Sequence, residues 1–173
     1  MDVVPQAEQL TEAEGLSPSF EDFFRDSYQR LAQALLLLTA DRGEAEELAQ
    51  EALARVFERW DRVREMDSPT GYLYRTALNL NRKRLRSLAI RLRRGISSAP
   101  SPDPLASAET RADLHRLLDS IPPGQREALV LVEWVGFSAD EAARVLGIAS
   151  PTVRTRLHRA RAALRKAAGE SYE

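Results

Sequence analysis

Apolar positions repeat with helical spacing from about residue 20 to residue 165, and no stretch alternates in the manner of a strand. Phe20, Phe23, Phe24, Leu31, Leu35 and Leu38 fall on one side of a first helix, which Ser19 is placed to cap. A second helix starts at Asp41, with Glu44 three residues on as its capping-box partner and a stripe of Ala45, Leu48, Ala49, Ala52, Val56 and Trp60. "DRVREMD" reads as a loop. Ser68-Pro69 opens a third helix running to about Arg94, because serine suits the cap and proline suits a first turn whose N–H groups lack partners. Its inner stripe is Leu73, Ala77, Leu80 and Leu88. Further helices are expected near 108–120 and 125–135, on either side of a break at "IPPG". A final pair is joined by "GIASP": Ser138 caps the first and Gly147 ends it, and Ser150 with Pro151 opens the second.

The pattern predicts an all-α protein of two small helical domains, at 19–94 and 108–167. Gly95–Ser107 is rich in Ser and Pro and reads as a flexible linker; residues 1–18 read as a disordered leader.

Composition narrows the function. The chain has no cysteine, so it has no disulfide, thiolate nucleophile or zinc-thiolate site, which suits a reducing cytoplasm. His115 and His158 are its only histidines and show no paired ligand spacing, so no metal, cofactor or catalytic residue is expected, and an enzyme is disfavoured. The longest apolar run, "ALLLL", is too short to cross a bilayer, and the acidic start lacks the basic-then-apolar order of a signal peptide; no membrane partner is expected.

A net charge of −1 conceals four blocks: residues 1–67 carry −9, 68–95 carry +8, 96–150 carry −4 and 151–173 carry +4. Two basic blocks between acidic ones imply two anion-binding surfaces. In the last helix Val153, Leu157, Ala160 and Leu164 form the inner stripe. At about 100° per residue, Thr155, His158, Arg159 and Ala162 point away from it. Arg154, Arg161 and Arg165 lie along one flank and Arg156 along the other. With the short glycine turn before it, this is helix-turn-helix geometry, in which a central line faces base edges and flanking guanidiniums meet phosphates. Thr152, Arg154, Thr155, Arg156, His158 and Arg159 are the candidate duplex-reading residues, and Arg159 suits a bidentate grip on guanine.

The third helix gathers Tyr72, Arg75, Asn79, Arg82, Lys83 and Arg86 on the side opposite its apolar stripe. An aromatic ring, an amide and several cations together suit single-stranded DNA, although a groove-reading surface would use the same cations. The second helix is the reverse. Glu44, Glu47, Glu51 and Glu58 line one flank, a surface expected to face a basic protein rather than DNA, with Leu48 and Leu53 as apolar neighbours. A stand-alone helix-turn-helix regulator with a dimerising or ligand-sensing first domain would share the last helix, but would need neither the acidic flank nor the second basic face.

In this order, "AEELAQEALARVFERW", "SPTGYLYRTALNLNRKRLR" and "SIPPGQREALVLVEWVGFSADEAARVLGIASPTVRTRLHRARAALR" resemble the extracytoplasmic-function (ECF) sigma factors of bacterial RNA polymerase, over about residues 19–167. The resemblance implies a subunit that binds core RNA polymerase, through the clamp helices and flap region of its large subunits, and directs it to promoter DNA. It implies that Gln50 and Glu51, with Glu44, Glu47 and Leu48 beside them, meet the polymerase. It assigns Asn79 and its face to the minus-10 element and the last helix to the minus-35 element. An anti-sigma factor, which holds many members inactive, is a further candidate partner. Tyr72 stands where many members have Trp, and Pro151 replaces a usual Gly.

Overall fold

The computed structural model of the protein describes residues 19–96 and 109–170. The expected leader, and the expected linker from residue 97 on, lie outside the described residues. Eight α-helices follow one another without a strand among the described residues: α1 (Phe20–Thr39), α2 (Arg42–Phe57), α3 (Trp60–Val63), α4 (Pro69–Arg93), α5 (Glu109–Asp119), α6 (Pro123–Leu129), α7 (Ala139–Leu146) and α8 (Ser150–Glu170). Between α6 and α7, Val130–Trp134 forms one wider π-helical turn.

Local chemistry sets most of the boundaries. The Ser19 hydroxyl accepts from the Asp22 N–H at the start of α1, and the Asp41 carboxylate accepts from the Glu44 N–H, 2.8 Å away, at the start of α2. The second half of the expected capping box at Asp41 is not formed. The Asp41 N–H goes to the Thr39 hydroxyl instead, and the Glu44 carboxylate is drawn to Arg84 of α4. At α4 the Ser68 hydroxyl accepts from the Gly71 N–H at 2.9 Å. A Cβ on residue 71 would come within 2.7 Å of that hydroxyl, so the cap and the glycine belong together. The expected loop after α2 contains α3, which carries Trp60 away from the α2 stripe and against Phe20 and Phe23.

In the second half, α6 starts earlier than the expected residue 125, with proline in its first turn. The π turn then adds a residue: the Val135 N–H bonds to the Val130 carbonyl, five residues back, at 3.0 Å. This returns Val135 to the core and leaves Trp134 nearly half exposed. Ser138 and Glu141 close a full capping box at α7, and Gly147 ends it at φ +68°. α8 begins at Ser150, the residue expected to cap it, with the Ala149 carbonyl accepting its first N–H groups.

α1, α2 and α4 form one bundle with α3 at its corner, and α5 to α8 form a second. Their cores merge into one continuous cluster of buried side chains. α4 is the hinge of this arrangement. Leu73, Ala77 and Leu80 face α1 and α2 as the stripe predicts, but Tyr74, Leu78 and Asn81 form a second buried line. Tyr74 in that line meets Phe137 of the second bundle.

Candidate nucleic-acid interface

α8 is held by Val153, Leu157 and Ala160, all buried against α6 and α7. Thr152, Thr155, His158 and Arg159 consequently stand on its exposed side. Among the described residues Arg159 has no ion-pair partner, which leaves its whole guanidinium edge for an acceptor. The Thr155 hydroxyl donates back to the Pro151 carbonyl at 3.0 Å and keeps its lone pairs outward. The flanking cations are partly employed at home. Arg154 lies 3.5 Å from Asp140 of α7, and Arg161 is hydrogen-bonded to Glu133 of the π turn. Both pairs are well exposed, and such pairs are weak enough for a phosphate to displace. Arg156 is placed differently from the rest: it is half-buried, and it donates to the Gly124 carbonyl of α6 at 3.4 Å, tying α8 to α6.

Along α4 the structure brings Arg75, Asn79, Lys83 and Arg86 together on one exposed line, with Tyr72 half-buried at its start. Arg82 sits at the edge of this line and turns away from it. Its Nε and one terminal nitrogen donate to both carboxylate oxygens of Glu127 on α6, at 2.9 and 2.5 Å. Those hydrogen bonds push the guanidinium pKa further up, so Arg82 remains a cation even though half-buried. Arg75, Thr76 and Asn79 also line an open groove of about 620 Å³ with Tyr72 and, from the other wall, Glu51, Arg55, Glu58 and Arg59. That volume lies within the roughly 300–1,000 Å³ typical of small-ligand clefts. Arg59 donates to the Tyr72 hydroxyl at 3.3 Å and so helps set the ring at the groove mouth.

The acidic flank of α2 departs from its expected form. Arg84 of α4 reaches across to Glu44 at 3.0 Å and Glu47 at 3.2 Å, and Arg55 pairs with Glu51 at 2.7 Å. Glu47 and Gln50 still face outward. Leu48 and Leu53 do not: at 3% and 1% exposure they are core residues packed under α2, because the same stripe that makes the helix amphipathic buries them. The expected separation of an acidic protein-binding surface from a basic DNA-binding one also fails at one place. Glu51 and Glu58 share the groove of Arg75 and Asn79, since α2 and α4 pack side by side.

Three participants carried weak sequence signals. Arg84 sits seven residues beyond Ala77, in phase with the inner stripe of α4. Glu127 precedes Val130 and Leu131 by three and four positions, which puts it on the apolar side of α6. Arg59 lies in a stretch whose apolar pattern is broken, and only the fold brings it to Tyr72.

Comparison with known proteins agrees with this geometry. Residues 23–90 match the family model "Sigma-70 region 2" and residues 111–164 match "Sigma-70, region 4". The chain is 32% identical to the RNA polymerase sigma-E factor of Streptomyces coelicolor over 85% of its length and 84% of the relative's. It is 33% identical to the ECF RNA polymerase sigma factor SigE of Mycolicibacterium smegmatis, over 86% of this chain and 61% of that one. Its fold superposes with TM-score 0.74, at 24% identity, on the sigma factor RpoE of Bartonella quintana solved with the anti-sigma factor NepR, covering 87% of this chain and 96% of that one. The chain belongs to the sigma-70 family, in its ECF group. It is accordingly a sigma factor, directing RNA polymerase to promoters for transcription initiation. No described helix is long and apolar enough to cross a membrane.

Proposed function

We propose a division of this activity among three surfaces. The exposed line Arg75–Asn79–Lys83–Arg86, with Tyr72 and the groove beside it, takes the minus-10 element as it opens: cations hold the backbone, and the groove receives an unstacked base. Thr152, Arg154, Thr155, His158 and Arg159 on α8 read the minus-35 duplex. Gln50 and the outward-facing Glu47 on α2 meet the clamp helices of core polymerase, and the second bundle meets its flap region. RNA synthesis stays with the polymerase.

The observation that carries this reading is the groove between α2 and α4. It joins the amide of Asn79, the ring of Tyr72 and the cation of Arg75 in one concavity, next to the outward end of α2. A helix that only gripped duplex phosphates would need cations but no such recess. The test is a pull-down of the full chain with core RNA polymerase, followed by run-off transcription. Complex formation with promoter-dependent transcripts is expected. Tight, sequence-specific operator binding by the free chain, with no effect of polymerase, would refute the division and favour a stand-alone regulator.

A further inference from the structure

The groove between α2 and α4 has two walls of different chemistry. Several of the polar groups that line it are already engaged with each other. Arg55 pairs with Glu51 at 2.7 Å. The Thr76 hydroxyl donates to the Tyr72 carbonyl at 2.8 Å, and Arg59 donates to the Tyr72 hydroxyl. Three groups remain. Among the described residues the Glu58 carboxylate, the Asn79 amide and the Arg75 guanidinium take part in no ion pair and no side-chain hydrogen bond, and all three residues are exposed. Glu58 stands on the wall formed by the end of α2, and Asn79 and Arg75 stand one turn apart on the α4 wall.

A carboxylate accepts hydrogen bonds and donates none, whereas an amide does both. α2 ends at Phe57 with Glu58 as its C-cap, so the negative end of the helix dipole adds to the charge of Glu58. This wall favours a hydrogen-bond donor and repels a phosphate or a carbonyl oxygen. Arg75, on the other wall, suits a phosphate at the rim. What enters between them is therefore selected by the donors and acceptors on its edge. Extruding a base from the duplex exposes its Watson–Crick edge, through which a base-holding pocket reads it. On that edge cytosine and adenine each present an exocyclic amine beside a bare ring nitrogen. Thymine and guanine present a carbonyl beside a ring N–H. With an amino base, Glu58 accepts from the amine and the Asn79 amide donates to the ring nitrogen. A keto base sets its carbonyl oxygen against the carboxylate. Carboxylates accept from the cytosine amine in the same way when they read duplex DNA.

We propose that Glu58 is a specificity-determining residue: it makes the groove select an amino base, cytosine or adenine, over a keto base at one position of the opened strand. This selectivity rests on the assignment of the groove to the minus-10 element. It adds to that assignment a reader on α2, the helix whose other carboxylates point to polymerase.

The test uses the full chain bound to core RNA polymerase. The probe is a promoter duplex whose downstream element is an unpaired segment of randomised sequence, and the bound and free pools are sequenced. At one position the bound pool should favour cytosine and adenine over thymine and guanine by about tenfold or more, the usual weight of a specific base contact. Glu58→Ala should bring that ratio close to one at this position and leave the other positions alone. With single defined templates, the same variant should bind the cytosine template more weakly than wild type and the thymine template more tightly. A distorted helix would weaken both, and circular dichroism checks that the variant is folded. Glu58→Gln, which keeps an acceptor and gains a donor, should fall between wild type and Glu58→Ala. Enrichment of keto bases, no enrichment at any position, or an amino-base preference that survives Glu58→Ala would each overturn the role of Glu58. Asn79→Ala separates this failure from that of the groove itself. If Asn79→Ala flattens one position while Glu58→Ala changes none, the groove still holds a base and Glu58 does not choose it. If neither variant alters any position, the assignment of the groove falls as well.

Discussion

The Tyr74 ring stands on edge against Phe137 at 79°, joining the first bundle to the second, and its hydroxyl is buried with no hydrogen-bond partner. An unpartnered buried hydroxyl is a cost that the apolar contact must outweigh. Tyr74→Phe keeps the ring contact and removes the orphan, so it should stabilise the chain by up to about 1 kcal/mol in urea unfolding at neutral pH. The substitution should also change the alkaline limb. Burial pushes the Tyr74 pKa up to about 12, against a smaller opposing pull from Arg30. The unfolded chain therefore releases this proton near the ordinary tyrosine value of about 10, before the folded chain does. Its contribution is complete below that value and is lost as pH rises towards 12. The stability of wild type should fall more steeply than that of Tyr74→Phe across that window.

The capping box at α7 should respond at the opposite end of the pH scale. The Ser138 N–H donates to the Glu141 carboxylate at 2.7 Å and holds its pKa below the usual carboxylate range. A lowered folded pKa gives stability that is present above the unfolded value and lost as pH falls through the folded one. Ser138→Ala removes the hydroxyl that accepts from the Glu141 N–H, at a cost of about 1 kcal/mol. Glu141→Gln should lose the carboxylate's contribution at neutral pH, change little at acid pH where wild type has already lost it, and so flatten the acid limb. Thermal melts at neutral and acid pH distinguish the two.

Glu47→Lys with Glu51→Lys should leave helix content intact and sharply weaken core polymerase binding, because charge pairs across an interface govern association and specificity. The single change Arg84→Ala, which frees Glu44 and Glu47 from their shared partner, should weaken binding less than the double reversal. Normal core binding by the double variant in a salt titration would remove α2 from the polymerase interface.

Arg159→Ala and Asn79→Ala should separate reading from opening. A lost base contact costs roughly 1–3 kcal/mol, about tenfold to a hundredfold in affinity. The Arg159 variant should lose upstream duplex recognition, a defect that persists on a template whose downstream element is already an open bubble. The Asn79 variant should keep upstream binding and form fewer open complexes, read by permanganate reactivity of unpaired thymines. Recovery on the bubble assigns Asn79 to melting, and no recovery assigns it to holding the base. Normal opening by one variant with normal upstream binding by the other would sink both placements.

The Arg156→Ala variant offers a contrast on the same helix. Its guanidinium is directed to the Gly124 carbonyl, so its removal should loosen α8 on α6 and lower the melting temperature, with a smaller effect on the salt dependence of DNA binding than Arg154→Ala.

The helices, their caps and the outward line of α8 are legible in the residues, because each depends on neighbours within about four positions: Ser19, Asp41, Ser68 and Ser138 bond to N–H groups three residues on. The apolar stripes of α4 and α8 are legible for the same reason. Partnerships between helices are not. Arg82 reads as one more cation on a polar face until α6 brings Glu127, 45 positions away in sequence, to its side. Arg84 reads as surface until α2 supplies two carboxylates, and Leu48 reads as a contact for another protein until α1 and α4 cover it. A helix's period determines which residues share a side; which side is covered, and by what, depends on packing between helices, and only the tertiary structure decided it.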